Sequence, residues 1–426
     1  MKKIIFYSLL LASQLLAQQR EFRINRDLIQ AGNFFNSELH YFPTTDGFNV
    51  YYIYKIPYSQ LFFEKVDDEF SSGLIINIEI RDSIDNVIKR AFDEKNISVK
   101  DFDVTNSRSI YLQGFINIKL NQGKYKLSAI ISEKTSRRER KLPPKEFTLS
   151  NSEKIFDPIL LEPNTILCEG VDSYILSNNS SSIPYNMPED ILAVPVSDST
   201  INSLTINVKR GDTTILSNKA NTQLIICNPF LNLCEDKITI STTKESPDIK
   251  YFLFSNFSSE LTEGPINLEI IPDKNISKKK TFNLDVIWIG KPFSLRDPEG
   301  AIKYLKIIET DDKVSELLKK DDLQKALYDY WQKNDPTPNT KYNELMNEFY
   351  QRIDYADKHF QTISGNDGLK TDRGKTYIKY GQPDKIERDT NNDDHVVESW
   401  YYNNPKRTFV FIDIDGTGKF NLANQK

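Results

Sequence analysis

The hydrophobic period of this chain changes near Ile289, and that change limits what each side of it can fold into. Before Ile289, apolar and polar residues alternate over short runs, the period of half-buried strands. After it, apolar residues recur every three or four positions, the period of helices packed by one face. Upstream, Val50–Ile56, Leu74–Ile80, Phe115–Leu120 and Tyr125–Ile131 read as strands. Arg81–Asn86 reads as a turn and Asn121-Gln122-Gly123 as a hairpin. Beyond Ser150 come Leu192–Val196, Leu204–Lys209, Lys237–Thr242, Ile266–Ile271 and Phe282–Ile289. Short strands with regular turn punctuation predict antiparallel sandwiches.

Downstream, Asp297-Pro298 has the N-cap and first-turn proline of a helix start. A second helix is expected from Val314 through Trp331, ended by Asp335-Pro336. A third, restarting at Thr337-Pro338, lines up Tyr342, Leu345, Met346, Phe349, Ile353, Ala356 and Phe360 on one apolar stripe. After Gly365 the pattern reads as strands again: Thr376–Tyr380, Lys385–Arg388, Val396–Tyr402, Arg407–Asp413 and Lys419–Leu422. The expected fold is multidomain. Two all-β, sandwich-like (immunoglobulin-like) domains at 18–149 and 150–290 precede an α+β C-terminal domain at 291–426, helices first and then a small antiparallel sheet.

Lys2 and Lys3 precede a short apolar run, Ile4–Leu16, and Ala17 stands before the polar Gln18-Gln19-Arg20. Residues 1–17 therefore read as a signal peptide, too short for an ordinary span. The expected address is outside the cytoplasm, in the periplasm or at the cell exterior, with no transmembrane segment in the mature chain. A formal charge of -5 with well-mixed signs gives no electrostatic reason to expect nucleic acid. Of three cysteines, Cys227 and Cys234 flank a turn-like stretch and are the candidate disulfide of an oxidising compartment. Arg137–Lys141 reads as a solvated basic loop.

The C-terminal third carries a series of spaced motifs. They are Trp331 with Asp335-Pro-Thr-Pro338, Asn343-Glu344, Tyr350 with Arg352, Tyr355-Ala356, Gly368, and Thr371-Asp-Arg-Gly374. Tyr377-Ile378, Tyr380-Gly381, Pro383-Asp384, Trp400–Tyr402 and Phe409–Phe411 complete it. This part resembles the GWxTD domain, a family of exported bacterial proteins. The resemblance implies a fold and an address, and no activity or cofactor. The family's name-giving Trp is Leu369 here, an apolar-for-apolar exchange that fits packing better than chemistry.

Asp335, Asn343, Glu344, Arg352, Asp372 and Arg373 form the candidate structural or binding cluster, each at a helix end, on the third helix or in the loop leaving it. Glu344 and Asp372 as an acid/base pair would make an extracytoplasmic hydrolase. Arginines forked onto carboxylates would make a structural network instead. No metal site is expected: Asp413-Ile-Asp-Gly-Thr-Gly418 has apolar residues at Phe411 and Leu422, where a calcium loop needs ligands, and reads as a hairpin turn. The three histidines, His40, His359 and His395, lie in no nucleophile motif. The leading expectation is a non-enzymatic binding or assembly protein of the cell envelope, without cofactor, acting on a protein partner or an envelope polymer. Exposed rings at Tyr401 and Tyr402 would suit a polysaccharide.

Overall fold

The computed structural model describes residues 35–425 apart from 108–109, 137, 164–172, 178–181, 186, 188, 221–222, 228, 243–247, 274, 339 and 363–367. The expected signal peptide lies outside the described residues. The chain divides into two compact units, Met1–Gly290 and Lys291–Lys426.

The first unit is built of strands. β1 (Asn36–Thr44), β2 (Gly47–Pro57) and β6 (Tyr111–Leu120) form one antiparallel sheet. β3 (Glu64–Val66), β4 (Glu69–Asp82), β5 (Val87–Val99), β7 (Gly123–Glu133), β8 (Glu139–Lys141) and β9 (Lys145–Leu149) form a second. Even-numbered residues of β2 and β4, from Val50 to Ile56 and Leu74 to Ile80, enclose one core between the sheets. The opposite face of β2, Tyr51 and Ile53, enters another core with Ile159, Leu161, Leu176, Ile240 and Tyr251. Burial on both faces explains why Val50–Tyr54 is a continuous apolar run where a half-buried strand would alternate. The first three-stranded sheet is thus shared between two cores.

Two expectations change here. Asn121-Gln122 makes no hairpin, because β6 and β7 belong to different sheets and the connection crosses the sandwich. The basic run is not wholly loop: Glu139–Lys141 pairs with β7.

Beyond Ser150 lie β10 (Ile159–Pro163), β11 (Tyr174–Leu176), β12 (Ser182–Pro184), β13 (Ile191–Val196), β14 (Leu204–Arg210) and β15 (Thr213–Ala220). β16 (Gln223–Cys227), β17 (Pro229–Cys234), β18 (Lys237–Thr242), β19 (Asp248–Ser255), β20 (Gly264–Pro272) and β21 (Lys280–Ile287) follow. They make a seven-stranded sheet, β16-β19-β13-β10-β11-β18-β17, and a five-stranded one, β12-β21-β20-β14-β15. β12 and β21 run parallel.

In the second unit, α1 (Pro298–Tyr304) is capped by Asp297, whose carboxylate accepts from the Glu299 and Gly300 amides. The single helix expected from Val314 to Trp331 is two, α2 (Asp311–Leu318) and α3 (Leu323–Gln332). Asp322 breaks it by accepting from the Lys325 amide, a cap that competes with helix continuation. α4 (Glu344–His359) starts at Asn343 and not at Thr337-Pro338. Thr376–Tyr380, expected as strand, belongs to α5 (Asp372–Tyr380). Its Thr, Tyr and Ile favour strands locally, but a Thr371 cap and a terminal Gly381 at φ 80° set a helix. β22 (Lys385–Thr390), β23 (Val396–Asn403), β24 (Lys406–Asp413) and β25 (Asn421–Gln425) then form a four-stranded antiparallel sheet in chain order. Among the described residues no helix is long and apolar enough to cross a membrane.

Candidate functional site

The segment Gly368-Leu369-Lys370-Thr371-Asp372 is a joint between α4, α5 and the sheet. A Cβ on Gly368 would meet the Ala356 carbonyl oxygen at 2.2 Å, so only glycine lets this turn lie against the end of α4. Thr371 donates its hydroxyl to the Gly368 carbonyl at 2.7 Å and accepts from the Gly374 amide at 3.0 Å, closing the turn and capping α5 together. Asp372 accepts from the Leu422 amide at 2.8 Å and so ties the first residue of α5 to β25. Leu369 is buried. A buried leucine at the position of the family's tryptophan fits a packing role.

Arg373 follows directly and is 9 % exposed. Its guanidinium lies 3.9 Å from the centre of the Phe420 ring and 5.4 Å from that of Phe360. It faces Glu398 at 3.4 Å and donates to the Gly418 carbonyl at 3.3 Å. Glu398, with its side chain 2 % exposed, also accepts from Arg388 Nε at 2.8 Å and from the Trp400 indole at 2.7 Å. Arg388 and Glu398 are directly opposed across β22 and β23. Burial pulls the Arg373 guanidinium below its ordinary value, and the Glu398 charge opposes that shift. Trp400 packs on Phe411 and Phe360, sealing the pair from the side. Asp413 accepts from the Thr417 and Gly418 amides, which makes the 413–418 stretch a turn. That turn carries the carbonyl Arg373 uses.

The six candidate residues separate into three places. Asp335, Asn343 and Glu344 sit in the α3–α4 connection. Asp335 accepts from the Thr337 amide at 2.8 Å, and Glu344 accepts from the Thr337 hydroxyl at 2.6 Å. Asn343 caps α4 through the Met346 amide and donates to the Trp331 carbonyl at 2.9 Å. Arg352 pairs with Glu348, reaches the Ile378 and Lys379 carbonyls at the end of α5, and lies flat against Gly381. Asp372 and Arg373 form the joint just described. Among the described residues, Glu344 and Asp372 share no partner.

Glu398, Arg388 and Trp400 carry no family motif that marks them as a set. Glu398 was nevertheless visible as a charge on the inward parity of a strand, two residues before Trp400 and four before Tyr402, both buried. Tyr402 donates to the Gly381 carbonyl at 2.9 Å, so an open Tyr401–Tyr402 platform is not what the chain presents. An open groove of about 380 Å³ between α2 and α3 is lined by Lys313, Leu317, Lys320, Tyr330 and Lys333 among others, and none of the candidates. Among the described residues no group of three or more His, Cys, Asp and Glu side chains could hold a metal ion. His359 stacks on Tyr355 at 3.9 Å and bonds its carbonyl.

The candidate disulfide falls partly outside the described residues: Cys234 is disulfide-bonded, and the Cys227 side chain is not among those described.

The second unit is thus an α+β domain whose candidate polar residues are spent on separate joints of its own fold. Residues 274–423 match the family model described as the GWxTD domain. A search of curated proteins finds no match. Among solved structures, the chain is similar to the fibronectin(III)-like modules of Clostridium thermocellum CbhA. Identity is 12 % over 59 % of this chain and 94 % of that one, with a TM-score of 0.13, and likeness at that score carries no argument.

Proposed function

We propose that this chain is an exported, non-enzymatic binding or assembly protein of the bacterial cell envelope, with two sandwich-type β segments ahead of its GWxTD domain. One observation carries the reading: each candidate carboxylate of the C-terminal domain is committed to a backbone amide, a hydroxyl or an arginine of its own fold. A hydrolase acid/base pair needs two carboxylates facing one substrate, and Glu344 and Asp372 serve different joints. The basic head and apolar run at residues 2–16 support export. A bonded Cys234 supports an oxidising compartment.

The test has two arms. Cell fractionation of a C-terminally tagged full chain should recover it outside the cytoplasm without residues 1–17. Affinity capture from envelope extract should retain its partner on Glu344→Gln/Asp372→Asn and lose it on a surface variant such as Ile386→Asp, since Ile386 is 50 % exposed on edge strand β22. Hydrolysis of an envelope polymer that disappears in Glu344→Gln/Asp372→Asn, with the fold intact, would overturn the reading.

A further inference from the structure

Among the described residues, β5 leaves one edge of its sheet open. Its thirteen residues pair with β4 and with no other strand among those described. Ala91, Asp93, Lys95 and Ile97 are half-buried toward the sandwich, where Asp93 accepts from the Tyr54 hydroxyl at 2.5 Å. Ile88, Arg90, Phe92, Glu94 and Asn96 are exposed on the other face, Phe92 at 66 %. Natural edges this long are usually blunted by proline, bulges or charged side chains, and charges of mixed sign are the ones a second copy can pair. β5 has no proline, its single bulge lies at the Arg81 end, and its charges carry both signs.

We propose that β5 pairs antiparallel with β5 of a second copy of this chain, about a twofold axis at Phe92, joining two sheets into one. In such a pair the axis stands perpendicular to the sheet, so facing residues share a face and their numbers add to an even sum. That leaves few registers. An axis at Arg90, Asp93, Glu94 or Lys95 sets a charge against its own copy. An axis at Ala91 shortens the overlap and buries Ile88 against Glu94.

The Phe92 axis sets Phe92 on Phe92, Arg90 on Glu94 twice, and Ala91 on Asp93 twice, pairing each strand from 89 to 95, short of the bulge. Arg90 already binds Glu79 at 2.7 Å and Glu94 binds Lys134 at 2.5 Å. Pairing therefore extends these into a row of alternating sign, Glu79–Arg90–Glu94–Lys134, with the last two from the second copy. Lys89 meets Lys95 on the inner face, where Asp93 at 3.5 Å offsets the Lys95 charge. Cross-strand aromatic and opposite-charge pairs are the contacts that stabilise adjacent strands. The inference goes beyond the binding reading by naming a partner, and it holds or fails whatever the envelope capture shows.

Sedimentation velocity of the full chain across a concentration series tests it. The wild type should dimerise reversibly. Phe92→Lys, which puts like charges on the axis, should weaken the dimer about 100-fold or more at unchanged melting temperature. Arg90→Glu should weaken it, and Arg90→Glu/Glu94→Arg should restore it. Under mild oxidation Phe92→Cys should cross-link to itself, while the off-axis Ile88→Cys should not. A wild type that stays monomeric, or a dimer indifferent to Phe92→Lys, would overturn the proposal.

Discussion

The carbonyl oxygen of Gly368 lies 2.0 Å from the point a Cβ on Gly374 would occupy. Both partners in that contact are backbone, so neither can swing aside. Gly374→Ala should cost about 3 kcal/mol or more. In Gly300→Ala the nearest atom is the tip of the Asp297 side chain, which can rotate, so the change should stay within about 1 kcal/mol. Urea denaturation followed by circular dichroism compares the two.

Thr371 is expected to act through its hydroxyl alone. Thr371→Ala loses both the cap on α5 and the bond to Gly368 and should cost about 1–2 kcal/mol, while Thr371→Ser keeps both and should cost much less. Equal losses in the two variants would show that the methyl group, not the cap, matters.

Asp190 gives the first unit a pH dependence. It is fully buried, and burial raises its carboxyl to about 6 although the Ser258 amide donates to it. The folded chain therefore holds this proton more tightly than the unfolded chain. Its contribution is fully present below the unfolded value near 4 and is lost as pH rises through about 6. The difference is about 3 kcal/mol. Asp190→Asn should flatten stability between those pH values. A slope unchanged in Asp190→Asn would assign it to another group.

The change of period near Ile289 was legible because it reflects burial, and it falls beside the division of the chain at Gly290. Asp297 and Asn343 act as helix caps, and both are residue types whose short side chains reach a backbone amide. Two kinds of information were not local. The strands flanking Asn121-Gln122 enter different sheets, and no turn signal encodes which sheet a strand joins. Thr376–Tyr380 carries strand-forming residues in a helix fixed by contacts with α4 and β25. The site followed the same rule. Arg373 was visible as a polar residue in the loop leaving the third helix, but its partner Glu398 is 25 positions away, and only the packed sheet brings them together.

The claim that the Arg373–Glu398 centre is structural is tested most directly by the stability of Glu398→Gln, with Arg388→Ala as control. Neutralising Glu398 leaves the buried Arg373 charge uncompensated and should cost about 3–5 kcal/mol. Arg388, whose side chain is 71 % exposed, should cost about 1 kcal/mol or less. Carboxylates kept for chemistry are commonly held at the expense of stability, and replacing them often stabilises the fold. A Glu398→Gln chain as stable as the wild type, or more so, would contradict the account and make this centre a site poised for a ligand.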